Sequence, residues 1–569
     1  MPWPRDAAGA RAGTGRKAKR MSEEIKHECA VAMIRLTNAE MSATAGLAKI
    51  TLLLEKQHNR GQDGAGLAAL KFDAEPGMPA YKVVKSAAAN PLADLLARSA
   101  RITEDFDARA FLGHLRYATF GKGDESFCHP FIHAAARLRR TLMLAGNFNL
   151  TNTRDLFDAY VKLGKHPTSS ADGYVLTEWL ASEMLHSEVD GVTSRREQIV
   201  RALTSVLARA DGAYTLCGLT GDGWSFAVRD EHGIRPGYYC VMNGAVAVAS
   251  ERPAIQAAFD CRTEDVKELE PGVAMLVSPA GEVTFERVRP EAEKRSCVFE
   301  RIYFSRANDA DIHRERKALG SALVQPILEA VNHDLDNTFF SYIPNSAQIA
   351  FQGLIESLWT EGLAEGRPVR FGQIAVKDAK FRTFIADAQA RKEFYKHVYD
   401  VTYGLVRPNV DTLVVLDDSI VRGNTMKNAI LPMLDRLKPR KIVVASSAPP
   451  ICYPDCYGID MSSLGELVAF RAMLRLRNYV APRTPDELRA AYASCTQEQL
   501  SKAIAELLTP PDMHAEVQVI FQTMEGLHAA CPDTTGDWYF SGNYPTPGGE
   551  RVLDMALANY LARRDGRSY

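Results

Sequence analysis

The sequence predicts two domains of mixed helices and strands, the second an α/β domain built on a parallel sheet. Segment 413–416 has the unbroken aliphatic character of a buried parallel strand, and it runs through a glycine turn into a helix. That helix carries Ile430, Leu434 and Leu437 at helical spacing, and a second apolar strand follows at 442–445. A length of 569 residues leaves ample room for a further domain before this one.

Two carboxylates stand where the first of these strands ends. Ligands of open α/β sheets bind at this end of a strand, and the adjacent Asp417 and Asp418 suit a ribose diol or Mg²⁺. Gly423 permits a close approach of the backbone, and the amides that open the helix form an anion cradle. The predicted site for a phosphorylated sugar comprises Asp417, Asp418, Ser419, Arg422, Gly423, Asn424 and Thr425. An ordinary βα turn with chance acids is the alternative, and the order of these polar positions argues against it.

Composition and charge exclude several classes of protein. The net charge is -2 and 24% of the residues are charged, which leaves no global basic surface for nucleic acid. No apolar run reaches the roughly 18 residues that a membrane helix requires, so no membrane partner is expected. Ten cysteines are too sparse for a disulfide scaffold, which favours reduced thiols and a cytoplasmic location.

The first twenty residues have the composition of a disordered leader. Residues 1–20 are rich in Ala, Gly and Arg, contain one acid, Asp6, and lack the apolar core of a secretory signal. Met21 opens a sequence of different character, which favours an upstream start codon or a dispensable leader over an organelle transit peptide. We expect the catalytic chain to begin later, after residue 28.

Cys29 stands at the mouth of an alternating or buried strand, and taken alone it is a buried structural thiol. Three downstream segments change that interpretation: 60–66 (RGQDGAG), 113–119 (GHLRYAT) and 146–152 (GNFNLTN). In this order they resemble the glutaminase domain of class II amidotransferases, an α+β fold with the αββα sandwich of N-terminal nucleophile enzymes. The resemblance implies that a propeptide is removed and that the exposed Cys29 attacks the glutamine amide. A free α-amine, with a pKa near ~7.7 to 8.0, can then serve as the base beside the thiol.

The resemblance also assigns roles to the residues around this cysteine. Arg116 binds the glutamine carboxylate, Asp172 binds the substrate amine, and the Asn147 side-chain amide points at the oxyanion. In isolation Arg116 is more typical of a surface ion pair, and Asn147 of a turn. The family commonly has glycine after the oxyanion asparagine, where this chain has Phe148. The Phe148 amide is still expected to donate, unless the site requires a positive φ that strains phenylalanine.

Segment 411–425 resembles the phosphoribosyl pyrophosphate signature of type I phosphoribosyltransferases. With both halves in this order, roughly residues 22 to 545 closely resemble amidophosphoribosyltransferases. That family hydrolyses glutamine, passes the ammonia through an internal channel to phosphoribosyl pyrophosphate and makes 5-phosphoribosylamine, which opens purine synthesis. A domain boundary is expected near 285 to 295, and segment 297–304 is expected to open a strand of the second domain. The expected organisation is a leader at 1–28, a glutaminase domain at 29–290, a phosphoribosyltransferase domain at 291–480 and a helical extension of the second domain at 481–569.

One further segment completes the second site by resemblance. Segment 343–347 is similar to the loop that meets pyrophosphate and metal, which implies a Mg²⁺ site of Ser346, Asp417 and Asp418. Asn424 stands where the family commonly has threonine. Because the backbone amides do most of the cradling, we expect altered affinity rather than lost function.

Segment 377–385 is similar to the flexible loop that folds over the bound substrate, so that Lys377 and Arg382 face pyrophosphate. It is shorter than usual and lacks a glycine before the arginine. The resemblance further implies purine nucleotides as feedback inhibitors and a homo-oligomer, a dimer or a tetramer. Two alternatives stay open: a glutaminase joined to another acceptor domain, as in glucosamine-phosphate or asparagine synthesis, and a non-catalytic nucleotide sensor.

Many members of this family carry an iron-sulfur cluster on cysteines, and the corresponding positions of this chain differ. Cys297 keeps the first ligand position, Asp455 takes the second, and the Cys-x-x-Cys pair becomes the segment 538–541 (WYFS). Cys452 and Cys456 are interpreted as buried thiols, because a cluster needs about four converging thiolates. No iron-sulfur cluster is expected.

Overall fold

The computed structural model describes residues 29–104, 106–118, 123–360, 366, 368–377, 399–459 and 461–564. The expected leader at 1–28 and the expected substrate contact Arg382 lie outside these residues, and so does the Lys377 side chain. Within these ranges, no helix combines the length and the apolar character that crossing a membrane demands.

The strands of the first domain form two antiparallel sheets. In chain order they are β1 (Ala30–Leu36), β2 (Gly64–Leu70), β3 (Tyr81–Ser86), β4 (Ala110–Arg116), β5 (Phe131–His133), β6 (Leu142–Leu150), β7 (Gly212–Thr220), β8 (Ser225–Arg229), β9 (Tyr238–Met242), β10 (Ala245–Ala249), β11 (Lys267–Glu268), β12 (Val273–Val277) and β13 (Val283–Arg287). One sheet has the order β11-β9-β10-β1-β4-β2-β3, and the other has the order β13-β12-β8-β7-β6-β5.

Helices cover the outer faces of the two sheets. They are α1 (Ala43–Lys56), α2 (Pro91–Ser99), α3 (Thr153–Lys162), α4 (Asp172–Val189), α5 (Arg195–Leu207) and α6 (Arg252–Phe259). Successive side chains of each strand alternate between two cores. Met33 of β1 and Leu219 of β7 meet between the sheets, whereas Ile34 and Leu216 pack beneath the helices. The αββα sandwich that the resemblance implies is confirmed.

The second domain is built on a parallel sheet of the order β15-β14-β18-β19-β20, beside a small antiparallel pair, β16 and β17. Its strands are β14 (Thr338–Tyr342), β15 (Arg370–Phe371), β16 (Ala375–Lys377), β17 (Tyr399–Val401), β18 (Thr412–Asp417), β19 (Lys441–Ser446) and β20 (Glu516–Phe521). Its helices are α7 (Ala310–Ser321), α8 (Val324–Ala330), α9 (Gln348–Thr360), α10 (Leu431–Asp435), α11 (Val468–Leu476), α12 (Pro485–Ala493), α13 (Gln497–Leu508), α14 (Met524–Ala530), α15 (Trp538–Ser541) and α16 (Pro547–Leu561).

The predicted strand, turn, helix and strand of the second domain are present. The strands predicted at 413–416 and 442–445 are β18 and β19, which lie side by side in the sheet. The helix between them opens with a π-helical turn, Met426–Ile430, and ends with α10, so Leu437 lies beyond its end. The α/β fold with a parallel sheet is confirmed.

The prediction of a strand at 297–304 is wrong, because Glu300–Phe304 forms a π-helical turn. The Phe299 N–H donates to the Tyr539 hydroxyl at 2.7 Å, and the Ser305 N–H closes the turn on the Glu300 carbonyl at 3.2 Å. A short apolar run is compatible with a buried strand or a buried helix, and here contacts with the C-terminal part of the chain decide between them.

The C-terminal segment 481–569 is helical only in part. Between α13 and α14 it supplies β20, which pairs in parallel with β19 along the edge of the sheet. The expected helical extension therefore also contributes one strand to the sheet of the second domain.

Buried contacts join the two domains. Arg60, after α1, donates to Glu251 at 2.7 Å and to Glu300 of the second domain at 3.1 Å. Burial opposes the charge of Arg60, yet the two carboxylates together raise its pKa. The Asn149 amide of β6 donates to the Cys456 carbonyl at 2.6 Å. Buried charges are tolerated only when they are paired in this way, so these contacts fix the relative placement of the domains.

Candidate active sites

The predicted glutamine-site residues line one cavity of about 1040 Å³, which we call the glutaminase cavity. Strands β1 and β4 pair with Ala30 opposite Leu115, a register that brings Cys29 beside Arg116. Asn147 and Phe148 reach the cavity from β6, and Asp172 reaches it from the first residue of α4. The strand register and one helix start thus assemble the set.

The Cys29 thiol is held by the backbone of Tyr117. Its Sγ accepts the Tyr117 N–H at 3.3 Å and lies 3.8 Å from the Tyr117 carbonyl. Burial raises the pKa of Cys29 to about 11, although the nearby Arg116 lowers it. The thiol is therefore protonated at neutral pH while residue 28 remains attached, and its activation requires a base.

Asn147 presents an unused hydrogen-bond donor to the same cavity. Its Nδ2 is buried and has no hydrogen-bond partner in the part of the chain that the structure describes. An unsatisfied buried donor costs about 1–3 kcal/mol, so an oxygen of a ligand is expected to meet it. Its neighbour Phe148, also on β6, lies opposite Tyr214 of β7 and does not have a positive φ. Phenylalanine is therefore accommodated here without backbone strain.

Sequence reasoning did not find the C-terminal wall of the glutaminase cavity. Arg551, Asp554 and Met555 of α16 line it, although they belong to the other domain. Asp211 holds the start of α16 by accepting hydrogen bonds from the Thr546 hydroxyl at 2.6 Å and the Gly548 N–H at 2.9 Å. No local sequence pattern predicts that α16 contacts the first domain, because the contact joins groups more than 300 residues apart in the chain.

The predicted phosphoribosyl-site residues line a second cavity of about 420 Å³, which we call the acceptor cavity. Its wall runs from Asp417 to Met426 along the turn after β18, and the Ser346 loop lies opposite. The structure brings together Asp417, Asp418, Ser419, Arg422, Gly423, Asn424, Thr425 and Ser346. The cavity thus lies at the carboxyl end of a central parallel strand.

Two adjacent carboxylates, Asp417 and Asp418, line the acceptor cavity. Asp418 accepts hydrogen bonds from the Ser419 hydroxyl at 2.8 Å and from the Ser346 hydroxyl. Burial raises the pKa of both carboxyls, and the Asp418 charge raises that of Asp417 further. Within the described residues no cluster of three or more His, Cys, Asp or Glu side chains stands ready to hold a metal ion. This donor set fits Mg²⁺, which usually binds one or two carboxylates together with water and substrate phosphates.

The acceptor cavity also contains residues that sequence reasoning missed. Asn59 comes from the first domain, and its Nδ2 donates to Glu251 at 2.8 Å and to the Phe304 carbonyl at 3.1 Å. The Asn59 Oδ1 is buried and has no hydrogen-bond partner among the residues that the structure describes. Arg306 and Arg316 also line the cavity, and burial lowers the pKa of Arg316 to about 10. The contribution of Asn59 emerges only when the domains meet.

Gly423→Ala is expected to weaken binding of phosphoribosyl pyrophosphate. Gly423 has a φ of 75°, and a Cβ there would lie 2.3 Å from Leu508 Cδ2. The strained turn should raise the KM for this substrate at least about tenfold and cost about 1–2 kcal/mol of stability. Gly404→Ala is the matched control, since its φ is 85° but nothing described lies within 4 Å of the added Cβ. Steady-state kinetics and urea unfolding of both variants test the expectation, and equal KM values would contradict it.

The positions that correspond to the iron-sulfur ligands hold a hydrogen-bonded network instead. Asp455 is buried and accepts the Trp538 indole N–H at 2.8 Å and the Ile459 N–H at 2.7 Å. The Cys297 thiol lies 3.6 Å from the Tyr539 hydroxyl. One thiol among these positions does not fit a cluster, which requires about four thiolates.

Asp455→Ala is expected to destabilise the protein by about 3 kcal/mol, because it leaves several buried donors unsatisfied. The backbone amides of Tyr457 and Gly458, each at 2.9 Å, lose their acceptor together with the Trp538 indole. Asp486→Ala is the control, since that side chain is 95% exposed. Urea unfolding should separate the two variants, and equal midpoints would contradict a structural role for Asp455.

The fold and the two cavities define the class: an N-terminal nucleophile glutaminase joined to a type I phosphoribosyltransferase. No family model matches the chain. The amidophosphoribosyltransferase of Bacillus subtilis is 31% identical over 430 residues, which are 73% of this chain and 79% of that protein. The amidophosphoribosyltransferase of Escherichia coli is 28% identical over 427 residues, 73% of this chain and 78% of that protein. A solved structure of glutamine phosphoribosylpyrophosphate amidotransferase from B. subtilis has a TM-score of 0.67 at 24% identity, and the match covers 91% of this chain and 97% of that chain.

The chain belongs to the amidophosphoribosyltransferase family. Enzymes of this family are glycosyltransferases with glutamine amidotransferase activity, and they catalyse the first step of purine biosynthesis. The reaction converts glutamine and phosphoribosyl pyrophosphate to 5-phosphoribosylamine, glutamate and pyrophosphate.

Proposed function

We propose that Cys29, once residues 1–28 are removed, is the nucleophile that releases ammonia from glutamine. The observation that carries this proposal is the unpaired Asn147 Nδ2 in the same cavity as the Cys29 thiol. A donor that is buried without a partner costs stability unless a reacting oxygen meets it. Arg116 and Asp172 line the cavity with opposite charges, which suits the carboxylate and the amine of a free amino acid.

The sequence of steps follows from these groups. The α-amine of Cys29 takes the thiol proton while Sγ attacks the amide carbon, and Asn147 holds the resulting oxyanion, joined by the Phe148 amide. Collapse expels ammonia, which receives its proton from the α-ammonium group. Water then hydrolyses the thioester to glutamate.

Removal of the leader is therefore expected before activity appears. A peptide-bonded nitrogen is not a base, and burial raises the pKa of the Cys29 thiol to about 11, so the uncleaved chain lacks thiolate at neutral pH. Mass spectrometry of active protein should show Cys29 at the N-terminus. An active enzyme that begins at Met1 or Met21 would refute this expectation.

For the acceptor cavity, we infer that the turn after β18 binds phosphoribosyl pyrophosphate. Asp417 and Asp418 suit the ribose hydroxyls, and the amides from Gly423 to Thr425 suit the 5-phosphate. Ser346, Asp417 and Asp418 would hold Mg²⁺, which supplies charge neutralisation for the leaving pyrophosphate when it is bound. Lys377 and Arg382 remain proposed pyrophosphate contacts, and no iron-sulfur cluster is proposed.

One assay tests the whole activity against its alternatives. The mature protein is incubated with glutamine, Mg²⁺ and phosphoribosyl pyrophosphate, and glutamate and pyrophosphate are both followed. Stoichiometric release of the two products supports the synthase. Glutamate alone would favour a glutaminase with another acceptor, and neither product would favour a nucleotide sensor.

We also propose partners and a location that follow from the family. The B. subtilis structure is described as complexed with ADP and GMP, so purine nucleotides are proposed as inhibitors here. A homodimer or homotetramer in the cytoplasm is proposed. Inhibition assays with AMP, ADP and GMP and analytical ultracentrifugation test these points.

A further inference from the structure

Two histidine rings contact the backbone of Gly146, the residue before Asn147. The Gly146 N–H donates to His129 Nδ1 at 3.3 Å, and His114 Nε2 donates to the Gly146 carbonyl at 3.1 Å. The two rings stack with centroids 4.0 Å apart and planes 10° apart. His114 comes from β4 and His129 from the loop before β5, and His129 also lines the glutaminase cavity. Both polar groups of the Gly146 backbone are therefore engaged by imidazoles.

These contacts place a proton on Nε2 of His114, and they require the His129 ring to be neutral. Nδ1 of His129 accepts a hydrogen bond, so its ring proton is on Nε2, whereas His114 donates from Nε2. Protonation of His129 would place an N–H against the Gly146 N–H. Burial lowers the pKa of His114 to about 3 and lowers that of His129 well below its usual range, and Arg116 and Lys85 act in the same direction. The pair is expected to stay neutral across the working pH range.

Close packing around Gly146 couples the position of its backbone to that of Asn147. A Cβ there would lie 2.5 Å from Leu216 Cδ2 and 2.8 Å from the Thr215 carbonyl, so β6 approaches β7 closely at this point. The next ring along the strand, Phe148, lies 5.5 Å from His129. A shift of the Gly146 peptide therefore has little room to relax before it reaches Asn147.

We propose that His129 and His114 are positioning residues of the glutaminase, which clamp the Gly146 peptide and so aim Asn147 Nδ2 at the oxyanion. This inference rests on the proposed roles of Cys29 and Asn147. The clamp acts through the backbone, and neither ring serves as the general base. Its effect belongs to the chemical step at the first site and leaves the second site untouched.

The test compares His129→Ala, which removes the acceptor, with His129→Asn, whose Oδ1 lies near the position of Nδ1. His133→Ala is the matched control, because His133 is on β5 and is paired with Glu178 at 3.0 Å. Loss of one oxyanion donor costs about 10²–10³ in kcat, so misdirection of Asn147 should lower glutamine-dependent kcat about 10- to 100-fold. The KM for glutamine and the ammonium-dependent kcat should stay within about twofold, and His129→Asn should recover most of the loss.

Several outcomes would overturn the clamp. A His129→Ala variant with wild-type glutamine-dependent kcat shows that Gly146 needs no holding. If this variant loses ammonium-dependent activity as well, the folded His129→Asn variant decides: recovered glutamine use supports the clamp, and persistent loss refutes it. A neutral-pH inflection in the wild-type kcat profile that vanishes in His129→Asn would make the ring a base and refute the clamp. Activity of Cys29→Ala with glutamine would instead refute the proposed nucleophile, whatever the His129 variants do.

Discussion

Cys29→Ala is expected to abolish glutamine-dependent synthesis and to spare synthesis from ammonium. The glutaminase and acceptor cavities are lined by different residues, so removal of the Cys29 thiol leaves the turn after β18 intact. Loss of a catalytic nucleophile costs about 10⁶-fold in well-studied hydrolases, whereas external ammonia bypasses that step entirely. The measurement is pyrophosphate release with glutamine and, separately, with high ammonium at a pH that supplies free ammonia.

Cys261→Ala is the matched control, since Cys261 is a half-buried thiol of the same domain outside the glutaminase cavity. It should retain both activities. Loss of ammonium use in the folded Cys29→Ala variant would show that the two sites are not separable. Retained glutamine use would remove Cys29 from the mechanism.

The turn after β18 was predictable because its signal is local. The unbroken aliphatic run at 413–416 predicts a buried parallel strand. The acids and the glycine of the site follow that strand directly in the chain. The same holds for β1, whose residues are all buried and which starts directly after Cys29. Such sites depend on a strand end, and a strand end is visible in sequence.

Features that depend on long-range contacts were not predictable in the same way. Asn59 reaches the acceptor cavity only because the domains dock, and α16 reaches the glutaminase cavity only because Asp211 holds its start. The turn Glu300–Phe304 and the edge strand β20 are decided by groups distant in sequence. The roles of residues that are distant in sequence were predicted from the resemblance to a family, because the periodicity of the sequence alone does not predict them.

Asp418→Asn is expected to lower kcat/KM for phosphoribosyl pyrophosphate about 10²-fold, because it removes a negative charge from the proposed Mg²⁺ and ribose site while keeping the side-chain shape. Glutaminase chemistry at Cys29 should continue. The wild-type acceptor site should also lose activity as the pH falls through the raised pKa values of the Asp417 and Asp418 pair, since the protonated pair would no longer hold Mg²⁺. Removal of one carboxylate should shift that loss to lower pH.

The same substitution should leave the substrate-free protein as stable as before, or more stable. A carboxyl whose pKa is raised in the folded state binds protons more tightly there than in the unfolded chain. Its burial therefore lowers stability increasingly as the pH rises from its unfolded pKa through its folded pKa. At neutral pH the Asp418→Asn variant avoids this cost. It also loses one acceptor, because the Ser346 and Ser419 hydroxyls donate to different oxygens of Asp418 and asparagine has only one side-chain oxygen. Thermal unfolding at about pH 7.5, with the exposed Asp512→Asn as control, measures the balance. Full synthase activity in Asp418→Asn would remove Asp418 from the substrate site, and a fall in its unfolding midpoint as large as that of Asp455→Ala would mean that Asp418 supports the fold.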